Sequence, residues 1–91
     1  MHEPDRVARI RATLQASLQP EHLNIIDDSA AHAGHAGARG GKGHFRVEIV
    51  AARFAGLPAL RRHKLVYGAL EALMASDIHA LSIDARAPGE A

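Results

Sequence analysis

The sequence predicts an α+β domain of two layers, in the order helix, strand, strand, helix, strand, with a three-stranded sheet covered by helices on one face. Three observations predict it. Apolar residues recur at steps of three and four near the start (Val7, Ile10, Leu14, Leu18) and again between 59 and 73. Phe45, Val47 and Ile49 alternate with Arg46 and Glu48, a period of two. Short apolar runs, LNIID and IHALSI, follow the helical patterns; period and length separate helix from strand.

The first helix is expected from about Pro4 to Leu18. Pro4 suits a first turn, where its missing N–H costs nothing, and Asp5 complements the positive helix end. Pro20 disfavours helical geometry at Gln19 and ends the run. Leu23 to Asp27 reads as a short strand and residues 28–43 as a long flexible loop. The strand of Phe45, Val47 and Ile49 follows, and sequential strands favour antiparallel pairing. Arg53 to Leu57 reads as a turn with some helical character. Pro58 opens a second long helix ending near Ser76, with an inner stripe of Ala59, His63, Val66, Leu70 and Leu73. Gly68 weakens that helix by about 1 kcal/mol relative to alanine. Ile78 to Ile83 reads as the third strand, and residues 87–91 are expected to fray.

Composition narrows the function. The 91 residues are expected to form one small domain over 1–91, burying roughly 60–65% of its unfolded surface. The chain is 47% hydrophobic with two Phe, one Tyr and no Trp, so Leu, Ile and Val must build the core. It has no cysteine, which excludes disulfides, thiolate nucleophiles and self-contained thiolate metal sites. The opening MHEPDRVARI carries acids and no apolar run, so no signal peptide is expected. No stretch reaches the roughly 20 apolar residues of a membrane span. A soluble cytoplasmic protein with no membrane partner is expected. Eleven basic residues face ten acidic ones, a net charge of +1, below the basic excess usual for a strong nucleic-acid binder. No nucleophile–base pair or paired carboxylates stand out, so an enzyme is not expected.

The stretch SAAHAGHAGARGGKGH, residues 29–44, holds His32, His35 and His44 and no bulky apolar side chain. A loop this long between paired strands is functional or disordered. A P-loop needs Ser or Thr after Gly-Lys, and Gly43 follows Lys42. Gly40-Gly41-Lys42-Gly43 and Gly37-Ala38-Arg39-Gly40 spell the G-x-x-G of a KH clamp, but that clamp joins two helices and this loop joins two strands. Singly, each histidine fits a solvated loop, and His44, opening a strand, fits a hydrogen-bonded structural role. Together they make metal binding reasonable, although their spacing matches no zinc signature.

Five pieces in order carry a resemblance: Asp28-Ser29-Ala30-Ala31-His32, His44-Phe45-Arg46-Val47, Arg53-Phe54-Ala55-Gly56, Arg62-His63-Lys64-Leu65-Val66-Tyr67 and His79-Ala80-Leu81. Over roughly residues 5–86 the chain resembles the BolA family. The resemblance implies a helix–strand–strand–helix–strand layout, likened to a type II KH fold. It implies an adaptor that binds a monothiol glutaredoxin and shares a bridging 2Fe–2S cluster with it, in iron–sulfur maturation and trafficking and in iron regulation. One implied ligand is the histidine at the start of the third strand, His79. The other is a Cys or His of the loop between the first two strands, by position His32, with His35 as its rival. The partner's cysteine and a glutathione thiolate would hold the other iron, so the isolated chain is not expected to keep a cluster. Imidazole can replace thiolate on one iron. A glycine-rich ligand loop would be loose when free and ordered on binding.

Read without the resemblance, His79 is in phase with Leu81 and Ile83 and fits a partly buried, satisfied histidine. His63, on the inner stripe of the second helix, reads as structural, with a metal role secondary. Arg61, Arg62 and Lys64 form a basic run that fits a solvated face, or contacts to glutathione, a partner or phosphate. Some BolA-like proteins are regarded as transcriptional regulators, so the alternative is a nucleic-acid-binding regulator using a KH-like face and the basic helix, with DNA as its partner. Balanced charge and few aromatic residues oppose that alternative. A free chain that is monomeric or weakly dimeric is expected. The sequence departs from the family at Ala30 and Ala31, at Lys42-Gly43 before the His44-Phe45 pair, and in lacking the usual helix after Ala87. These departures bear on partner affinity and on helix-dependent DNA binding.

Overall fold

A computed structural model describes residues 6–28 and 43–90. Pro4 and Asp5 lie outside them. The first helix, α1 (Arg6–Leu18), buries Ile10, Leu14 and Leu18 completely or nearly so, and Val7 packs at the core margin. The step-of-three-and-four stripe therefore faces the sheet as read. Gln19 stops the helix in the left-handed region (φ 48°), and its N–H still reaches Gln15 O at 3.2 Å. Pro20 follows it, as the sequence implied.

The chain then enters β1 (His22–Asp27), which pairs antiparallel with β2 (Gly43–Val50) from His22 opposite Val50 to Asp27 opposite Phe45. In β2 the inward positions Gly43, Phe45, Val47 and Ile49 are all buried, while His44, Arg46, Glu48 and Val50 point to the other face. The strand β3 (Ile78–Arg86) lies parallel to β2 on its far side, giving the order β1-β2-β3 with β2 in the centre. A parallel neighbour needs a crossover. It consists of a 3-10 turn (Ala52–Phe54), α2 (Ala59–Ala69) and α3 (Glu71–Ser76). Phe54 in the turn is fully buried. Gly56 takes φ 78°, a conformation in which a Cβ is strained.

Three expectations are corrected. The single helix from Pro58 to Ser76 is two helices, because Leu70 leaves helical geometry (φ −99°, ψ 11°). Gly68, two residues upstream, weakens the continuous run, and helix breaks gather at such positions. Of the expected inner stripe, Val66 and Leu70 are fully buried and Leu73 packs on the core, but Ala59 is exposed. Second, β3 continues past Ile83 to Arg86. Asp84 is a poor strand former, but it and Arg86 sit on the polar face, where pairing with Glu48 and Val50 carries them.

Third, residues 87–90 are tied down rather than frayed. Ala87 is buried, Glu90 N–H donates to Ala87 O at 3.1 Å, and Gly89 has φ 86°. Pro at the second position and a positive-φ glycine at the third are the requirements of a type II turn. The Glu90 carboxylate accepts from Arg62 Nη1 at 2.6 Å, from Arg62 Nη2 at 2.8 Å and from Ala87 N–H at 3.0 Å. The Arg62 contact, aided by the Ala87 N–H, holds the Glu90 carboxyl down to about 2. No helix among the described residues is long and apolar enough to cross a membrane.

Candidate functional site

The parallel pair β2/β3 is out of step at its head. Gly43 lies opposite Ile78, yet His44 lies opposite Ala80, so β3 carries one residue, His79, that the ladder skips. Such a bulge re-aims a side chain. Ile78 faces the core and is buried, Leu81 and Ile83 resume the inward rhythm, and His79 and Ala80 are both exposed. The reading of His79 as in phase with Leu81 and Ile83 is therefore corrected. The extra residue lets Ile78 and Leu81 both face inward while His79 and Ala80 both stand at the surface.

The bulge brings together two residues that are 35 positions apart. The rings of His79 and His44 lie with centroids 5.2 Å apart and planes tilted by 49°. His44 is half-buried on the open face of β2. Across the other edge of β2, Asp28 N–H donates to His44 O at 2.8 Å. Asp28 and His44 line one pocket of about 210 Å³ with Phe45, Ala80, Leu81 and Ser82. Among the described residues no three His, Cys, Asp or Glu side chains gather to hold a metal ion.

The junction that sets this geometry is anchored from below. Gly43 N–H donates to Asp77 O at 2.8 Å, fixing the start of β2 to the start of β3. The Asp77 side chain is buried. It accepts from Ser76 Oγ at 2.5 Å and from Arg9 of α1, with Arg6 Nε at 3.6 Å. The Ser76 hydroxyl, the Arg9 hydrogen bond and the nearby guanidinium charges hold its carboxyl below the usual carboxylate range. Asp77 thus meets α1 and Ser76 of α3 through its carboxylate and the head of β2 through its backbone carbonyl.

The basic run divides. Arg62 donates to Leu57 O at 2.7 Å and Ala85 O at 3.1 Å in addition to the bidentate pair with Glu90, and only 13% of its side chain is exposed. It is a structural clamp between α2, β3 and the closing turn, not an open anion site. Arg61 and Lys64 are exposed and border an apolar groove with Leu57, Leu60 and Leu65. His63 is half-buried on α2. His32 and His35 lie outside the described residues.

The open sheet face is polar but balanced. Arg46 Nε stands 3.4 Å from Glu48 Oε2, and Arg86 Nε 3.0 Å from Asp84 Oδ1. The Asn24 amide donates to Glu48 Oε1 at 3.0 Å. Sequence reasoning read His44 singly as a structural, strand-opening residue, and the structure sets its ring beside that of His79. The outward position of His44 was legible in the alternation of β2, but its neighbour across the sheet was not.

Comparison with known proteins agrees with this architecture. Residues 14–90 match the family model described as "BolA-like protein". The chain is 45% identical over 83 residues to BolA-like protein 1 of Bos taurus, covering 91% of this chain and 59% of that relative's length. Among solved structures, BolA1 from Arabidopsis thaliana superposes with a TM-score of 0.83 at 41% identity, covering 99% of both chains. The BolA domain of SufE1 from Arabidopsis thaliana superposes with a TM-score of 0.84 at 38% identity, covering 99% of this chain and 100% of that one. The shared fold, the ordered motifs and the matched span together make this chain a member of the BolA-like protein family.

Proposed function

We propose that this chain is a non-enzymatic adaptor that binds a monothiol glutaredoxin and shares a bridging 2Fe–2S cluster with it, in the maturation and trafficking of iron–sulfur clusters and in iron regulation. The observation that carries this reading is the bulge that turns His79 out of the sheet at the head of the parallel pair. An imidazole exposed on a rigid strand start suits capture of an iron presented by a partner. The donor chemistry fits: the chain has no thiolate to offer, and imidazole substitutes for thiolate on one iron of such a cluster. His79 supplies one ligand and a loop histidine, His32 with His35 as its rival, the second. The partner's cysteine and a glutathione thiolate hold the remaining iron. The relative named for SufE1, which contains a BolA domain, supports a role in iron–sulfur chemistry.

The regulator reading has less behind it, because Arg46 and Arg86 on the open face are matched by Glu48 and Asp84, and Arg62 is committed to Glu90. The test is reconstitution of the chain with a monothiol glutaredoxin, iron, sulfide and glutathione, followed by size-exclusion chromatography. A coloured heterodimer whose visible spectrum changes in His79→Ala is expected. His32→Ala and His35→Ala, made singly, assign the loop ligand. Colour that elutes only with glutaredoxin overturns the reading.

A further inference from the structure

The pair of imidazoles at the head of β2 and β3 has a use that requires neither glutaredoxin nor sulfide. We infer that His44 and His79 form a two-histidine site for one divalent transition-metal ion of the zinc class on the free chain. The ring separation matches such a site. An imidazole nitrogen lies about 1.1 Å from its ring centroid, and a zinc–nitrogen bond is about 2.0–2.1 Å, so two imidazoles sharing a tetrahedral ion have centroids about 5 Å apart. The observed separation is 5.2 Å.

The backbone under each ring is held by different means. His44 sits in the central strand, flanked by β1 and β3, and its carbonyl is bonded to Asp28 N–H. His79 is fixed by the bulge, whose two sides are joined by the Gly43 N–H to Asp77 O hydrogen bond. A pair arranged before the ion arrives loses little side-chain entropy on binding it. Imidazole suits zinc, copper and nickel in preference to magnesium or calcium. Two protein ligands leave the remaining positions to water, as in an open rather than a closed structural site.

The test uses the full chain alone, so its outcome is independent of cluster sharing. Zinc is titrated by calorimetry at neutral pH, with histidine ring resonances followed by NMR. One ion per chain is expected, with the ring signals of His44 and His79 shifting together. His79→Ala and His44→Ala should each weaken binding at least tenfold, and His63→Ala and the double variant His32→Ala/His35→Ala should stay within twofold of the parent. Because His44 is half-buried, His44→Asn serves as a second variant if the alanine form does not fold. Magnesium should give no saturable binding. Zinc affinity that survives loss of His44 within twofold, or that disappears with His32 and His35, overturns the assignment.

Discussion

The Asp77 anchor allows the sharpest quantitative prediction. Asp77→Asn keeps the shape of the side chain and removes its charge. The carboxylate is 11% exposed and accepts from Arg9 and Ser76, and a hydrogen bond to a charged group contributes about 1.5–3 kcal/mol. Arg9 is 31% exposed, so its freed guanidinium regains solvent, and the asparagine oxygen still accepts one bond. The expected loss is therefore about 1.5–2 kcal/mol at neutral pH. In a domain of this size that lowers Tm by roughly 6–16 °C.

The pH dependence separates charge from shape. The Asp77 carboxyl is held below its ordinary value in the folded state, so its contribution is complete above the unfolded pKa and disappears as pH falls through the folded one. Thermal melts followed by circular dichroism from pH 7 to pH 2 should show parent and variant converging at the acid end. Asp84 and Glu90 titrate equally in both proteins and cancel from the difference. A gap under about 0.5 kcal/mol at pH 7, or one that persists unchanged to pH 2, would refute the assignment of Asp77 as a charged anchor.

Other outcomes follow from single contacts. Phe54→Ala empties a fully buried position and should cost about 3–5 kcal/mol in urea unfolding, a large share of a small domain's stability. Gln19→Gly relieves a left-handed residue at the end of α1; the gain, net of glycine's extra unfolded-state entropy, is about 0.5 kcal/mol, and a higher Tm is expected. Glu90, held down to about 2, stabilises the closing turn above its ordinary carboxylate range and stops doing so as pH falls toward 2. In Glu90→Gln the acid-side decline in melting temperature should therefore be shallower than in the parent.

The legible part of the fold was the part written in local periodicity. The stripe of Ile10, Leu14 and Leu18 and the alternation of Phe45, Val47 and Ile49 fixed α1 and β2 with their buried faces, and Pro20 ended the helix where expected. The break at Leu70 was hidden because 59–73 reads as one apolar stripe, and only packing of two short helices against one sheet shows the change of direction. The closing turn was spelled out by Pro88 and Gly89, but its stability comes from Glu90 meeting Arg62, 28 residues away. The same distance problem governs the site. His79 could be placed at a strand start, yet the bulge that exposes it depends on the parallel register with β2, which no local pattern encodes. His44 became a neighbour of His79 only once that register was known.

The most direct test of the adaptor account is to ask whose nitrogen touches the iron. The chain is prepared with ¹⁵N-labelled histidine and combined with unlabelled monothiol glutaredoxin, glutathione, iron and sulfide, and the reduced cluster is examined by pulsed electron paramagnetic resonance. The account predicts strong ¹⁵N couplings from this chain that diminish in His79→Ala. A cluster in the heterodimer that shows no ¹⁵N coupling, or couplings indifferent to His79, would contradict it.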